Sequence, residues 1–255
     1  MSFLTFGMSV QCRNNEHVNQ DRYGSVIVKD PSGKDILVAA VSDGVTMCFK
    51  GEVAAYNTVR FVLNRAAEYF SQNDYDSSVI PEEFDALISR INSKLNQFSQ
   101  ISNKKPSKSG YSPYSSCTLS CVFTDGETIL YFSIGDSAIY ELKTYSTSKI
   151  MDTGKHTNTD GKLTSYIGGI DDNKIDIRYT ESRFDKSSAY FLCTDGMSNM
   201  INFDIEACEN FRKFSQRLLS ADSRSHGTTV LKGMTEYVIS QGESDDITAL
   251  VIKSV

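Results

Sequence analysis

Three apolar runs in this chain each meet an aspartate at one end, and that pattern limits where those aspartates can lie. Val38-Ala39-Ala40-Val41-Ser42 runs into Asp43-Gly44, and Tyr190-Phe191-Leu192-Cys193-Thr194 runs into Asp195-Gly196. Asp245-Asp246 stands directly before Ile247-Thr248-Ala249-Leu250-Val251. Short apolar runs of this kind read as β-strands, so each Asp sits at a rigid strand edge where it meets solvent. Each following Gly reads as a sharp turn whose carbonyl can approach a ligand. A lone Asp-Gly after a strand is ordinarily a turn. Carboxylates gathered without matching bases repel one another, and a divalent cation among them relieves the repulsion. All-oxygen donors suit Mg²⁺ or Mn²⁺ rather than zinc. Two such ions can hold a hydroxide and polarise a phosphoryl group.

The rest of the chain frames these runs. Phe3–Val10 alternates loosely, and Gly24–Val28 and Ile36–Val41 are rich in β-formers, with Pro31, Ser32 and Gly33 between them as a hairpin signal. Val59, Val62, Leu63, Ala66 and Phe70 keep helical spacing. A second helix begins at Pro81, a favoured first-turn position, with Phe84, Leu87, Ile88, Ile91, Leu95 and Phe98 on one face. Residues 102–115 have no periodicity and read as a loop. Strands resume at Cys117–Phe123, Asp125-Gly126 marks a tight turn before Thr128–Ile134, and Ile139–Lys143 is expected to continue that meander. The polar stretch from Gly154 to about Asp176 reads as a long functional loop. Residues 204–219 and 227–240 look helical, and Ile247–Ile252 closes the chain as a strand. The order of strands, two helices, strands, helices and strand predicts an α+β fold with antiparallel sheets covered by helices, not a doubly wound one. No composition break divides the 255 residues, so a single domain over 1–255 is expected.

Charge and cysteine usage remove several classes. With a net charge of −6 and no basic tail or stripe, binding to nucleic acid or to an anionic membrane is not expected. None of the six cysteines forms a C-x-x-C pair, so no zinc knuckle or thioredoxin-like site is signalled. The first residues lack the charged and apolar regions of a signal peptide, and no apolar run approaches about 18 residues. A cytoplasmic protein is expected. The histidines, His17, His156 and His226, form no His-Glu-x-x-His, and no Gly-x-Ser-x-Gly elbow occurs. Gly161-Lys162 lacks the upstream Gly of a phosphate-binding loop.

A series of short motifs then falls in one order. Asn19-Gln20-Asp21, Asp43-Gly44 with Gly51-Glu52-Val53-Ala54, Ser116-Cys117-Thr118 and Gly135-Asp136-Ser137 with Tyr140 come first. Leu163-Thr164 with Gly168, Thr194-Asp195-Gly196 and Asp245-Asp246-Ile247-Thr248 follow. Each is weak alone. Together, from residue 19 to residue 251, the chain resembles the PPM-type metal-dependent protein phosphatases, also called protein phosphatase 2C.

The resemblance implies a four-layer α-β-β-α sandwich with two central antiparallel β-sheets. It implies a serine/threonine protein phosphatase acting on phosphoserine or phosphothreonine by a metal-bound hydroxide, in one step without a covalent phosphoenzyme. Two Mn²⁺ or Mg²⁺ ions and a weaker third are implied as cofactors. By the same resemblance Asp43 bridges the two ions, the Gly44 carbonyl binds one, and Asp195 and Asp245 complete the first ion's shell. Gln20 takes a ligand position at the second ion, Asp21 acts through an ordered water, and Asp136 belongs to the third site. Arg13, three residues upstream of Glu16, is only a candidate phosphate clamp, its plainer reading being a surface arginine. His17 is a candidate proton donor to the leaving group, and His156, at the start of the flap, a candidate substrate contact. The implied partner is a phosphorylated protein whose kinase the enzyme opposes, and a monomer is expected.

Several positions depart from the pattern. Gln20 replaces the family's Glu and carries no charge, a form some bacterial branches share. Thr46-Met47 replaces a Gly-Gly, Ala138 replaces an Arg, and Glu16 stands where the phosphate-gripping Arg is usual. Asn199 replaces the second Asp of Asp-Gly-x-x-Asp, which bears on the third ion. Gln20 and Asn199 together motivate the alternative: a catalytically weak or inactive phosphatase-fold binding or regulatory module.

Overall fold

The protein is described from a computed structural model covering residues 2–11, 18–102, 112–151, 163–169, 175–201 and 205–255. Strands β1 (Phe3–Val10), β2 (Arg22–Lys29) and β3 (Asp35–Ser42) lead into helices α1 (Gly51–Phe70) and α2 (Ile80–Ser102). Then come β4 (Leu119–Thr124), β5 (Thr128–Ile134), β6 (Ala138–Leu142), β7 (Thr147–Lys149), β8 (Arg178–Arg183) and β9 (Ala189–Cys193). Helices α3 (Asp195–Ile201), α4 (Ile205–Ser220) and α5 (Arg224–Ser240) precede the last strand, β10 (Ile247–Ser254). Two five-stranded sheets result, ordered β1-β10-β9-β6-β7 and β2-β3-β4-β5-β8, with every pairing antiparallel.

The period-2 geometry of a strand sends alternate side chains to opposite faces. In β3, Ile36, Val38 and Ala40 pack with α1 and α2, while Leu37, Ala39 and Val41 pack between the sheets. In β9, Phe191 and Cys193 lie under the C-terminal helices, while Tyr190 and Leu192 join the inter-sheet core. β10 does the same with Ala249 and Val251 against Leu250 and Ile252. These strands are covered on both faces, so their sequences are continuously apolar rather than alternating. The layers are therefore helix, sheet, sheet, helix, as expected. The outer core on the α1–α2 side is aromatic: the Phe84 ring lies 4.2 Å from that of Phe132 and 5.7 Å from that of Phe123. Among the described residues no helix is long and apolar enough to cross a membrane.

The structure corrects the sequence reading at three places. β6 does not continue the β4–β5 meander; it crosses to the other sheet and pairs with β9, from Ala138 opposite Cys193 to Leu142 opposite Ala189. The crossing is turned by Gly135, at φ 93° and packed against Thr118, where a Cβ would lie 2.6 Å from the Thr118 methyl. β8 is an additional strand whose charged, exposed residues gave no apolar pattern; it pairs with β5 and forms a charged edge to that sheet. Asp195-Gly196 opens a helix, α3, rather than a bare turn. Of the predicted flap, residues 163–169 and 175–176 are described. There Ile167 and Cys117 exchange two backbone hydrogen bonds of 2.9 Å, and the Gly168 N–H donates to Asn92 Oδ1 at 2.7 Å.

Candidate metal centre

The end of β3 delivers Asp43, and its backbone is fixed from both sides by Thr118. The Asp43 N–H donates to Thr118 Oγ1 at 3.0 Å, and the Thr118 N–H donates to the Asp43 carbonyl at 2.8 Å. The Thr118 hydroxyl also meets that of Ser137 at 2.8 Å. Ser137 follows Asp136 at the crossing from β5 to β6, so one threonine ties together the two segments that carry Asp43 and Asp136. Asp195 is the first residue of α3, with Oδ1 accepting the Gly196 N–H at 2.9 Å.

These three elements meet. One carboxylate oxygen each from Asp43, Asp136 and Asp195 lies within 4.8 Å of the other two. Burial raises the Asp43 carboxyl well above the usual carboxylate range, and the negative charges of Asp195, Asp21 and Asp136 raise it further. Asp195 is raised in the same way, first by burial and then by Asp136, Asp245 and Asp21.

Asp21 lies beneath this group, 1% exposed. Its Oδ2 accepts the Thr194 hydroxyl at 2.7 Å, and Thr194 Oγ1 in turn accepts the Thr248 N–H at 3.1 Å. Burial lifts the Asp21 carboxyl to about 7, against hydrogen bonds from Thr194, Asp43 and Thr248 that pull it down. Gln20 is held by its N–H donating to Asp246 Oδ2 at 2.8 Å, and its side-chain amide lies against Gly51 at the start of α1. Asp245 adjoins the cluster rather than joining the close trio: its charge acts on Asp195, and its Oδ1 accepts the Asp246 N–H at 2.9 Å. Burial raises its carboxyl as well, followed by the charges of Asp246 and Glu243.

Asp43, Asp195, Asp136 and Asp21 are thus brought together, with Asp245, Gln20 and Gly44 on the margin. Asp136, expected only at a weaker third position, instead shares the close trio with Asp43 and Asp195. Arg13, His17 and His156 fall outside the described residues. Sequence reasoning passed over Thr118, Thr194 and Asp246. Each stood in or beside a quoted motif, as a hydroxyl or second acid next to a ligand, but only the ligand had been given a role.

The glycines after the aspartates serve close packing. Neither Gly44 nor Gly196 is among the glycines with positive φ. A Cβ on Gly44 would lie 2.5 Å from the Gly51 carbonyl oxygen, and one on Gly196 would overlap the Asp246 carbonyl oxygen.

An all-oxygen, mutually repelling set of this kind fits hard divalent cations. The charges that most raise Asp43 and Asp195 are those of other carboxylates, and a bound cation would offset them.

The protein phosphatase 2C family model matches residues 10–235, and the chain belongs to that family. The family is metal-dependent, using Mn²⁺ or Mg²⁺, and acts on phosphoproteins. No curated protein matches the sequence. Among solved structures, the chain is similar to the serine/threonine phosphatase Stp1 from Staphylococcus aureus, at 16% identity and TM-score 0.74 over 100% of this chain and 96% of that one. It is similar to the S. agalactiae serine/threonine phosphatase at 14% identity and TM-score 0.72, covering 100% of both chains. For the Mycobacterium tuberculosis serine/threonine phosphatase PstP/Ppp the values are 14% and 0.66, over 98% of each. At such identities the likeness shows the fold.

Proposed function

We propose that the chain, as a single domain over 1–255, is a Mn²⁺- or Mg²⁺-dependent serine/threonine protein phosphatase that hydrolyses phosphoserine and phosphothreonine. The observation that carries this reading is the convergence of Asp43, Asp136 and Asp195 from three separate elements onto one point. Asp43 and the Gly44 carbonyl would hold two ions, with Asp195 and Asp245 completing one shell, Gln20 and Asp21 contributing to the other side, and Asp136 holding a third. Bound there, the ions would supply Lewis acidity to the phosphoryl oxygens and to the attacking water. The chain's own part is to fix the donors: Thr118 orients Asp43, and Thr194 orients Asp21, so little reorganisation is left for the reaction. Arg13, His17 and His156 are proposed to serve the substrate side. A phosphorylated protein in the cytoplasm, modified by a serine/threonine kinase, is the proposed substrate, met by a monomer.

A manganese-dependent assay on a phosphothreonine peptide tests this. Release of phosphate that stops with Asp43→Asn is the expected result; turnover unchanged in that variant overturns it. Gln20 and Asn199 favour the second reading, a binding module of the same fold with a weakened site. Calorimetry separates the two, since two bound ions belong to the enzyme and none to the module.

A further inference from the structure

Away from the carboxylate cluster, α1 and α2 enclose a groove of about 680 Å³, within the roughly 300–1,000 Å³ range of ligand sites. Phe61, Arg65 and Glu68 line it from α1, and Leu87, Arg90 and Lys94 line it from α2. Spacings of 4 and 3 residues on one helix and 3 and 4 on the other put each set on a single face. The floor is apolar and the rim is cationic. Lys94 Nζ stands 4.3 Å from the centre of the Phe61 ring, a cation–π arrangement that holds the ammonium over the groove. The one acid in the wall, Glu68, is engaged by Arg65 at 3.4 Å. No carboxylate among the described residues pairs with Arg90 or Lys94.

A concentration of cations with this little compensation stands out on a chain whose net charge is −6. We infer that the α1–α2 groove is a docking site for a short acidic, amphipathic segment of a partner protein. Its carboxylates would pair with Arg90 and Lys94, and its leucine-like side chains would cover Phe61 and Leu87. The lining residues span eight positions on each helix, about 10 Å of axis at 1.5 Å per residue, which accommodates about two turns of helical peptide. The apolar floor lies between two helices below the cationic rim, and a flat bilayer meets the rim without reaching that floor. Charge complementarity decides the partner, and the apolar floor adds affinity that salt does not screen.

Docking here needs neither metal nor turnover, so it stands or falls apart from the proposed hydrolysis. The test uses the full chain and a fluorescein-labelled peptide with glutamates and leucines at helical spacing, read by polarisation. Saturable binding is expected, weakened about tenfold or more by the pair R90E and K94E and also by about 0.5 M NaCl. Both substituted side chains are exposed, so the fold is retained, as circular dichroism would verify; Phe61→Ala gives a second, charge-neutral loss. Equal binding of a peptide with lysine in place of glutamate overturns the inference, as does binding indifferent to R90E and K94E. Competition by phosphatidylserine vesicles, or a self-association that the pair abolishes, assigns the groove to a membrane or to a second copy and likewise overturns it.

Discussion

The hydroxyl of Thr194 donates to Asp21 Oδ2 at 2.7 Å across 173 residues of sequence. It joins the entry to β2 with the end of β9, directly beneath the carboxylate cluster. Thr194→Val keeps the shape and removes the donor, leaving a buried carboxylate short of one partner and the Thr248 N–H without its acceptor. The expected loss is about 1–3 kcal/mol in a urea titration, with Thr194→Ser retaining most of the stability.

The same burial makes the metal-free protein sensitive to pH in an unusual direction. The Asp21 carboxyl moves from 3.8 to about 7 on folding, so between those values the native state binds more protons than the unfolded one. Stability then falls as pH rises through that window. Asp43 and Asp195 shift the same way. Asp30 and Asp125, lowered by their hydrogen bonds with Ser32 and Lys34, act oppositely and only at more acid pH. In EDTA the melting temperature is expected to be higher at pH 5 than at pH 7. Saturating Mn²⁺ should raise it most at pH 7, because a cation replaces the protons. A melting temperature that rises from pH 5 to pH 7 in EDTA would contradict the buried, repelling cluster.

Which parts of this were legible in the sequence follows from what burial does to a pattern. β3, β9 and β10 were readable because both faces of each are covered, giving unbroken apolar runs. α1 and α2 were readable because each buries only one stripe, such as Phe84, Ile88, Ile91 and Leu95. The sheet to which β6 belongs was not, since Ile139 and Tyr140 look the same in a meander as in a crossing. That choice is made by Gly135 packing on Thr118, a contact 17 residues away. β8 was silent because Arg178–Arg183 is exposed and charged. Asp43, Asp136 and Asp195 were each recognisable within a motif. Their convergence depends on the β5–β6 crossing, and so does the finding that Asp136, rather than Asp245, completes the trio.

Asp43→Asn is expected to separate stability from metal binding. In the absence of metal it removes one buried charge from a group of mutually repelling carboxylates, so the EDTA-treated variant should melt higher than the parent at pH 7. The rise in melting temperature on adding Mn²⁺ should shrink or vanish, because the proposed bridging donor is lost. A variant that still gains as much from Mn²⁺ as the parent would show that the ions are held without Asp43.

Two glycine-to-alanine changes should have opposite signs, and the reason is what each new methyl meets. Gly233 lies inside α5, and a Cβ there has as its nearest neighbour a Phe214 ring carbon at 3.7 Å, an ordinary contact. Gly233→Ala therefore gains helix propensity and loses unfolded-state freedom, a stabilisation of about 0.5–1 kcal/mol. Gly196 lies in α3 with its Cα against the Asp246 carbonyl, so a methyl there must push β10 and α3 apart. Forced overpacking of this kind costs about 1–3 kcal/mol. The displaced backbone carries Asp195 on one side and Asp245 on the other, so weaker Mn²⁺ binding by calorimetry should accompany the loss. Unfolding curves for the two variants measured side by side decide it: if Gly196→Ala is as stable as Gly233→Ala, the α3–β10 contact is looser than the packing of these backbones implies.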